Sequence, residues 1–411
     1  MNNYTPIAFD NTAEAFVYKT DSALKKAKFL FSIMGKPWMV KAALAITPIA
    51  IKLRIPFTNT IIRKTIFEQF IGGETLEETA PVAEMLGKYA VQVILDYGVE
   101  GGNDGETGFE NSTNQFIQVI EYAATQKNIP FMSVKVTGIS RLGLLEKIDA
   151  SVNQIIGNSL MSRYEEALDL LTTDEKAEWE RVIQRMQRIC ETGAKHNIGV
   201  LIDAEETWIQ HPVDVVTMLM MDKINRGKAI VFNTAQLYRH DRYMFLVDSI
   251  KSAKERGFIL GIKLVRGAYM EKERERAAKL NYRSPIHPDK QLCDRDYNEA
   301  IYKCFDFLQH VSMIVASHND ESNQLAAKLI DVYKLPHNHP HVHFSQLYGM
   351  SDHITFNLAK AGFSVSKYLP FGPIKDVVPY LMRRAEENSS VSGQTGRELS
   401  LINQEIKRRG I

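Results

Sequence analysis

The sequence predicts an α/β fold, a distorted (βα)8 barrel of the TIM type behind an N-terminal helical segment. Three observations point to it. Eight short runs rich in Val, Ile or Phe recur across roughly 300 residues, each followed by polar or Gly residues and then a helical pattern. Polar and charged side chains stand at the C-terminal end of run after run, which is where such a barrel opens. The first run leads into EGGNDGETG, which fits neither GxGxxG nor GxxxxGKS/T. The main competitor, an open doubly wound sheet, usually has fewer strands and carries such a nucleotide loop.

The elements follow in order. Residues before about 88 read as helices, in DNTAEAFVYKTDSALKKAKFLF and NTIIRKTIFEQFIGGETLEETAPVAEMLGKYA. Their most apolar stretch, 37–57, is interrupted by Lys41, Pro48, Lys52 and Arg54. Its clean run of ten residues, 42–51, falls short of the roughly 20 needed to span a bilayer, and reads as a buried or interfacial helix. The strands are VQVILDYG (91–98), FMSVKVTG (131–138), GVLIDAE (199–205), AIVFNTAQ (229–236), ILGIKLVRG (259–267), MIVASHN (313–319), HVHFSQLYG (341–349) and FSVSKYLPFG (363–372). A helical insertion, EEALDLLTTDEKAEWERVIQRMQRICETGAKH, precedes the third. The expected organisation is a helical segment over 1–88, a catalytic barrel over 89–390 and a C-terminal tail over 391–411.

Composition excludes several classes. With 45% hydrophobic and 24% charged residues in 411, the chain has the make-up of a globular enzyme and not of a disordered segment. Fifty basic against 49 acidic residues leave +1, so no global field draws it to nucleic acid or an acidic membrane. Three cysteines without CxxC fit a reducing compartment and exclude a disulfide scaffold or a cysteine-based metal site. The first residues show neither a secretory nor a transit pattern, so a cytoplasmic location is expected.

The strand ends carry Glu100, Lys135, Asp203 with Glu205, Gln236, Lys263 with Arg266, His318 and Tyr368. Each alone could be a rim residue with an ordinary partner; their recurrence points to a site. The helical stretch KDVVPYLMRRAEEN (375–388) adds to it, with Asp376 as its expected cap and Pro379 in its first turn. At about 100° per residue, Tyr380, Arg383, Arg384 and Glu387 share one face. Two guanidinium groups on an inward face need an anionic partner, which a carboxylate-bearing substrate supplies, although a solvated ion-pair stripe has the same pattern. The four histidines of PHNHPHVHF, His337, His339, His341 and His343, lack any accompanying carboxylate signature and read as a polar loop into the seventh strand, so no metal site is expected.

LIDAEE (201–206), NTAQLY (233–238), KLVRGAYMEKER (263–274), ASHN (316–319), QLYGM (346–350) and YLPFGPIKDVVPYLMRRAEEN (368–388) together resemble the proline dehydrogenase family, monofunctional type, over about residues 91–390. The resemblance implies FAD-dependent oxidation of L-proline to Δ1-pyrroline-5-carboxylate, with electrons passed to a membrane quinone and peripheral contact with the inner face of the respiratory membrane. It implies that Arg383 and Arg384 clamp the substrate carboxylate with Lys135, that Leu264, Tyr269, Tyr368 and Tyr380 enclose the ring, and that Asp203 holds the cations in place. Lys263 and Gln236 would approach the isoalloxazine. Ala204, Arg266, Gly267, Ala268, Ser317, His318 and Glu387 would contact other parts of FAD, and Glu100 would close the site as a gate. Cys293 stands where the family usually has threonine. Strand alternation sets Lys263 and Arg266 on opposite faces unless the strand ends between them. Hydroxyproline dehydrogenase on the same scaffold, and a barrel that binds proline without turnover, are the alternatives.

Overall fold

The computed structural model describes residues 7–53, 55–98, 105–157, 159–390 and 394–411. Eight parallel strands close into a barrel in sequence order: β1 (Gln92–Tyr97), β2 (Phe131–Val134), β3 (Gly199–Ile202), β4 (Val231–Gln236), β5 (Leu260–Val265), β6 (Val311–Ala316), β7 (Val342–Leu347) and β8 (Val365–Phe371). Closure runs through β1 and β8, with Ile94 opposite Tyr368 and Asp96 opposite Pro370. The period of two sorts side chains between two cores. Ile94, Leu201, Phe232 and Ile314 fill the lumen, while Val93, Leu95, Val200, Ile202, Ile262 and Leu369 face the surrounding helices. Phe131 and Phe232 meet edge to face across the lumen with centroids 5.7 Å apart. They leave no room on β5 for a side chain at Gly261, whose Cβ would lie 2.2 Å from the Val231 carbonyl oxygen and 2.9 Å from the Phe232 ring.

The insertion before β3 forms the helices Leu160–Leu168 and Thr173–His196; Thr172 and Glu175 make a reciprocal capping box at the start of the longer one. The helix after β8 begins at Ile374 and runs to Ser390. Asp376 therefore lies inside the first turn instead of capping it, and Pro379 falls beyond that turn.

The N-terminal helices and the end of the chain build a second core, in which Phe31, Phe70, Ile71, Val377, Leu381 and Ile402 are buried together. Residues 394–409 are not a tail but a helix, Gln394–Arg409, packed along the helix Asp21–Met34. Arg409 donates to the carbonyls of Phe16 (2.9 Å) and Lys19 (2.8 Å) and pairs with Asp21 at 3.0 Å. The N-terminal segment also reaches the barrel mouth: Gly72 N–H donates to Pro370 O at 2.8 Å, and Gly372 N–H to Gly73 O at 3.0 Å.

Candidate active site

The polar strand ends converge. Lys263, on β5, is 5% exposed and makes an ion pair with Asp203, just past the end of β3. Tyr368, on β8, donates its hydroxyl to the other carboxylate oxygen of Asp203 at 2.6 Å, and lies 3.0 Å from Ser133 Oγ on β2. Ser133 in turn donates to Asp96 at 2.8 Å. The Lys263 ammonium stands 5.4 Å from the centroid of the Tyr368 ring. Burial, with Asp203 and Asp96 beside it, pushes the Tyr368 phenol well above its ordinary range, so it remains a donor.

A second group gathers around Tyr269 and Tyr380. Arg383 lies 6.0 Å from the Tyr269 ring centroid, and Arg384, 5% exposed, lies 5.0 Å from that of Tyr380. The guanidinium of Arg383 and the ammonium of Lys135 are close enough to act on the Tyr269 phenol, which burial raises. Lys135 is itself buried, at the end of β2. Glu205 completes this side. Thr137 donates to it through its backbone N–H (3.1 Å) and through its hydroxyl. Burial pushes the Glu205 carboxyl up to about 7, partly offset by those hydrogen bonds and by Lys135.

A third group forms a rim. β5 ends at Val265, so Arg266 leaves the strand geometry and its guanidinium turns to Asp294 (2.9 Å), Ser317 (2.7 Å) and Ser322 (2.8 Å), stacked 3.8 Å over the Tyr297 ring. The end of the strand is the kink that alternation required. His318 Nδ1 lies 2.8 Å from Ser351 Oγ. Burial, together with Lys367 and Arg384 nearby, lowers that imidazole to about 3, so it is neutral. Gln236 is buried, donating 2.7 Å to the Glu205 carbonyl and accepting from Arg239 at 3.4 Å. Ala204 is buried beside Asp203, and Ala268 is exposed after Gly267.

Leu264 differs from the expectation. Alternation turns it away from Lys263 into the core between barrel and helices, where it is fully buried, so it encloses nothing in the lumen. Leu347, at the end of β7, packs instead with the cluster that holds Tyr380. It went unread because Leu is unremarkable in a strand. Asp96 and Ser133 were likewise missed, since neither ends a run. Glu100 lies outside the described residues, as does the side chain of Glu387. Cys293 packs in a small cluster with Tyr238 and Ile286, and burial pushes its thiol up to about 11. Of the four histidines, His337 stacks on Phe363 at 4.1 Å, His341 meets Leu308 O at 2.7 Å and stands edge-on to His339, and His343 points into the lumen against Phe131.

A family model described as proline dehydrogenase matches residues 80–397. The chain belongs to the proline dehydrogenase family. It is 33% identical over 383 residues to mitochondrial proline dehydrogenase 1 of Dictyostelium discoideum, an alignment spanning 85% of this chain and 66% of that protein. It is 30% identical to hydroxyproline dehydrogenase of Xenopus laevis, over 85% of this chain and 78% of the other. Among solved structures it resembles proline utilization A from Bdellovibrio bacteriovorus with TM-score 0.73 at 18% identity, covering 94% of this chain and 42% of that longer one. That likeness supports the barrel fold.

The family implies a flavin, and the donor set is suited to one. Reduced flavin carries negative charge, and Lys263 and Arg266 are cations already oriented by carboxylates and hydroxyls. Around Gly267, expected to contact FAD, the chain is crowded mainly by the flexible Met270 side chain. A Cβ there would lie 2.3 Å from the Met270 side chain and 3.1 Å from the Tyr238 ring.

Proposed function

We propose that this protein oxidises L-proline to Δ1-pyrroline-5-carboxylate with FAD as hydride acceptor, and that a quinone takes the electrons onward. The reading is carried by two groups together, a buried Lys263–Asp203–Tyr368 cluster at the strand ends and two arginines, on the helix that follows β8, set over tyrosine rings. An amino acid with an apolar five-membered ring fits both halves. Arg383, Arg384 and Lys135 bind its carboxylate, and Tyr269, Tyr380 and Tyr368 cover its ring. Asp203 keeps Lys263 charged and aimed. Bound FAD would supply the two-electron acceptor, held by Lys263, Arg266, Ser317 and His318, and these cations would favour its reduced form. Purified protein should be yellow and should bleach under anaerobic L-proline; a colourless protein that still binds proline would leave a binding barrel instead.

The relative named hydroxyproline dehydrogenase raises the second substrate. The hydrogen bonding of Tyr368 weighs against it. Its hydroxyl proton is directed to Asp203 and that of Ser133 to Asp96, so neither offers a proton to a ring 4-hydroxyl, which could only donate to their oxygens. A pocket resolves one such group by about 1–3 kcal/mol, so proline should be preferred over trans-4-hydroxyproline by roughly ten- to a hundredfold. Tyr368→Ser should narrow the ratio of kcat/KM values; an unchanged ratio would remove Tyr368 from the ring pocket.

A further inference from the structure

We propose that Ser351 and Glu398 are positioning residues: together they hold His318 with its Nε2–H toward the bound flavin, so that the last helix of the chain reaches the cofactor through two hydrogen bonds. The function proposed above supplies the flavin, and the proposal rests on it to that extent; the relay is built from this chain alone. Glu398, on the helix Gln394–Arg409, is 5% exposed and accepts the backbone N–H of Ser351 at 2.6 Å. Ser351 is buried, and its hydroxyl oxygen lies 2.8 Å from His318 Nδ1. His318 follows Ser317, which accepts from Arg266, and Arg266 and Arg384 are both near enough to act on its ring. Among the described residues nothing binds its Nε2, which leaves that nitrogen for a ligand.

The hydroxyl decides which ring nitrogen carries the proton. A buried hydroxyl proton needs an acceptor, and among the described residues Ser351 has none but His318 Nδ1. The imidazole is neutral, so the one proton it keeps is on Nε2. An N–H fixed there donates to a group that gains electron density, as flavin does on reduction. Ser351 has to be held for this, because its backbone is left-handed, at φ 50° and ψ 43°. The turn that contains it is gripped by both ends of the chain. Gln69 donates to Gly349 O at 2.8 Å, and Gly349, at φ 80°, lies so close to the Gln69 carbonyl that a Cβ would stand 2.0 Å from its oxygen. Lys367 on β8, fully buried, donates to Met350 O and pairs with Asp352 at 2.9 Å; Tyr18 donates to the same carboxylate at 2.7 Å. Glu398 adds the contact at the residue whose hydroxyl meets the imidazole. Without it the buried Ser351 N–H loses its acceptor.

Two measurements on the whole protein as purified test the relay, neither of them turnover. Nitrogen NMR spectra of protein with isotope-labelled histidine should show His318, assigned by its loss in His318→Asn, protonated on Nε2 and bare on Nδ1. Release of FAD on dilution, followed by its fluorescence, gives the affinity. Ser351→Gly suits the left-handed turn and removes only the hydroxyl. It should mix the two tautomers and weaken FAD binding roughly two- to tenfold, the worth of one hydrogen bond. Glu398→Ala should do the same by releasing the turn. Glu398→Gln keeps an amide oxygen that accepts from Ser351, so it should match wild type in both readings. A wild-type His318 protonated on Nδ1 overturns the proposal. So does Ser351→Gly with wild-type tautomer and affinity, a result that stays decisive even where Glu398→Ala does not fold. Glu398→Ala that lowers Tm alone, or Glu398→Gln that loses the tautomer, removes Glu398 from the relay. Wild-type protein that binds no FAD would instead overturn the function proposed above and, with it, the flavin as the ligand of His318.

Discussion

Arg384 and Lys263 are both buried cations, yet their removal should be read out differently. In the function proposed above, Arg384 binds the substrate carboxylate. A charge-assisted hydrogen bond contributes about 1.5–3 kcal/mol, so Arg384→Met should lower kcat/KM for proline roughly ten- to a hundredfold. Flavin content should be unchanged on that reading; near-normal efficiency would place the carboxylate elsewhere. Lys263 already has its partner in Asp203 and serves whatever negative charge develops nearby. Lys263→Met should therefore shift the midpoint potential of the bound flavin downward, as titration against a reference dye would show. It also leaves the Asp203 carboxylate with Tyr368 alone, and breaking such a pair costs about 3–5 kcal/mol, so a lower Tm should accompany the shift. An unchanged potential would take Lys263 out of contact with the flavin.

At the scale of elements, the second core ties both ends of the chain to the helix that carries the clamp. Ile402 is 1% exposed on the last helix, packed with Leu381 and Phe31. Ile402→Ala should cost about 2–5 kcal/mol, seen as a lower midpoint in urea, and a change near zero would mean that this helix is not part of the cooperative unit. The sequence disclosed some elements and concealed others for physical reasons. Every strand of the barrel could be read because each is a short β-branched or aromatic run buried on both faces, such as GVLI and VSMIVA. The last helix could not: QTGRELSLINQEIKRR is polar on most of its surface, and only its neighbours show that Leu401 and Ile402 face inward. At the site, charge at a strand end was visible in Asp203 and Lys263, and charge on one helix face in Arg384. Leu264 came from the resemblance alone; alternation along the strand already sets it opposite Lys263.

Over the whole molecule, buried titratable groups set how stability follows pH, and here they oppose one another. His318 and His343 are lowered by burial to about 3, so each contributes stability that is present above an unfolded value near 6.5 and is lost as pH falls toward 3. Glu205 works in the other direction. Its carboxyl is raised from 4.5 to about 7, chiefly by burial, so the fold holds it neutral, and its contribution is complete below pH 4.5 and lost as pH rises through 7. The window from 4.5 to 6.5 is where the two effects overlap and partly cancel. Glu205→Gln removes one side of that balance while keeping the shape: the amide oxygen can still accept from the Thr137 N–H, and the amide N–H can donate to the Thr137 hydroxyl. Relative to wild type, the variant should gain about 3 kcal/mol of stability between pH 4.5 and 8, measured as the difference between urea midpoints at each pH. If the two proteins keep parallel profiles across that range, Glu205 is already ionised in the folded state at pH 5, and the carboxyl that titrates near neutrality in this barrel is another one.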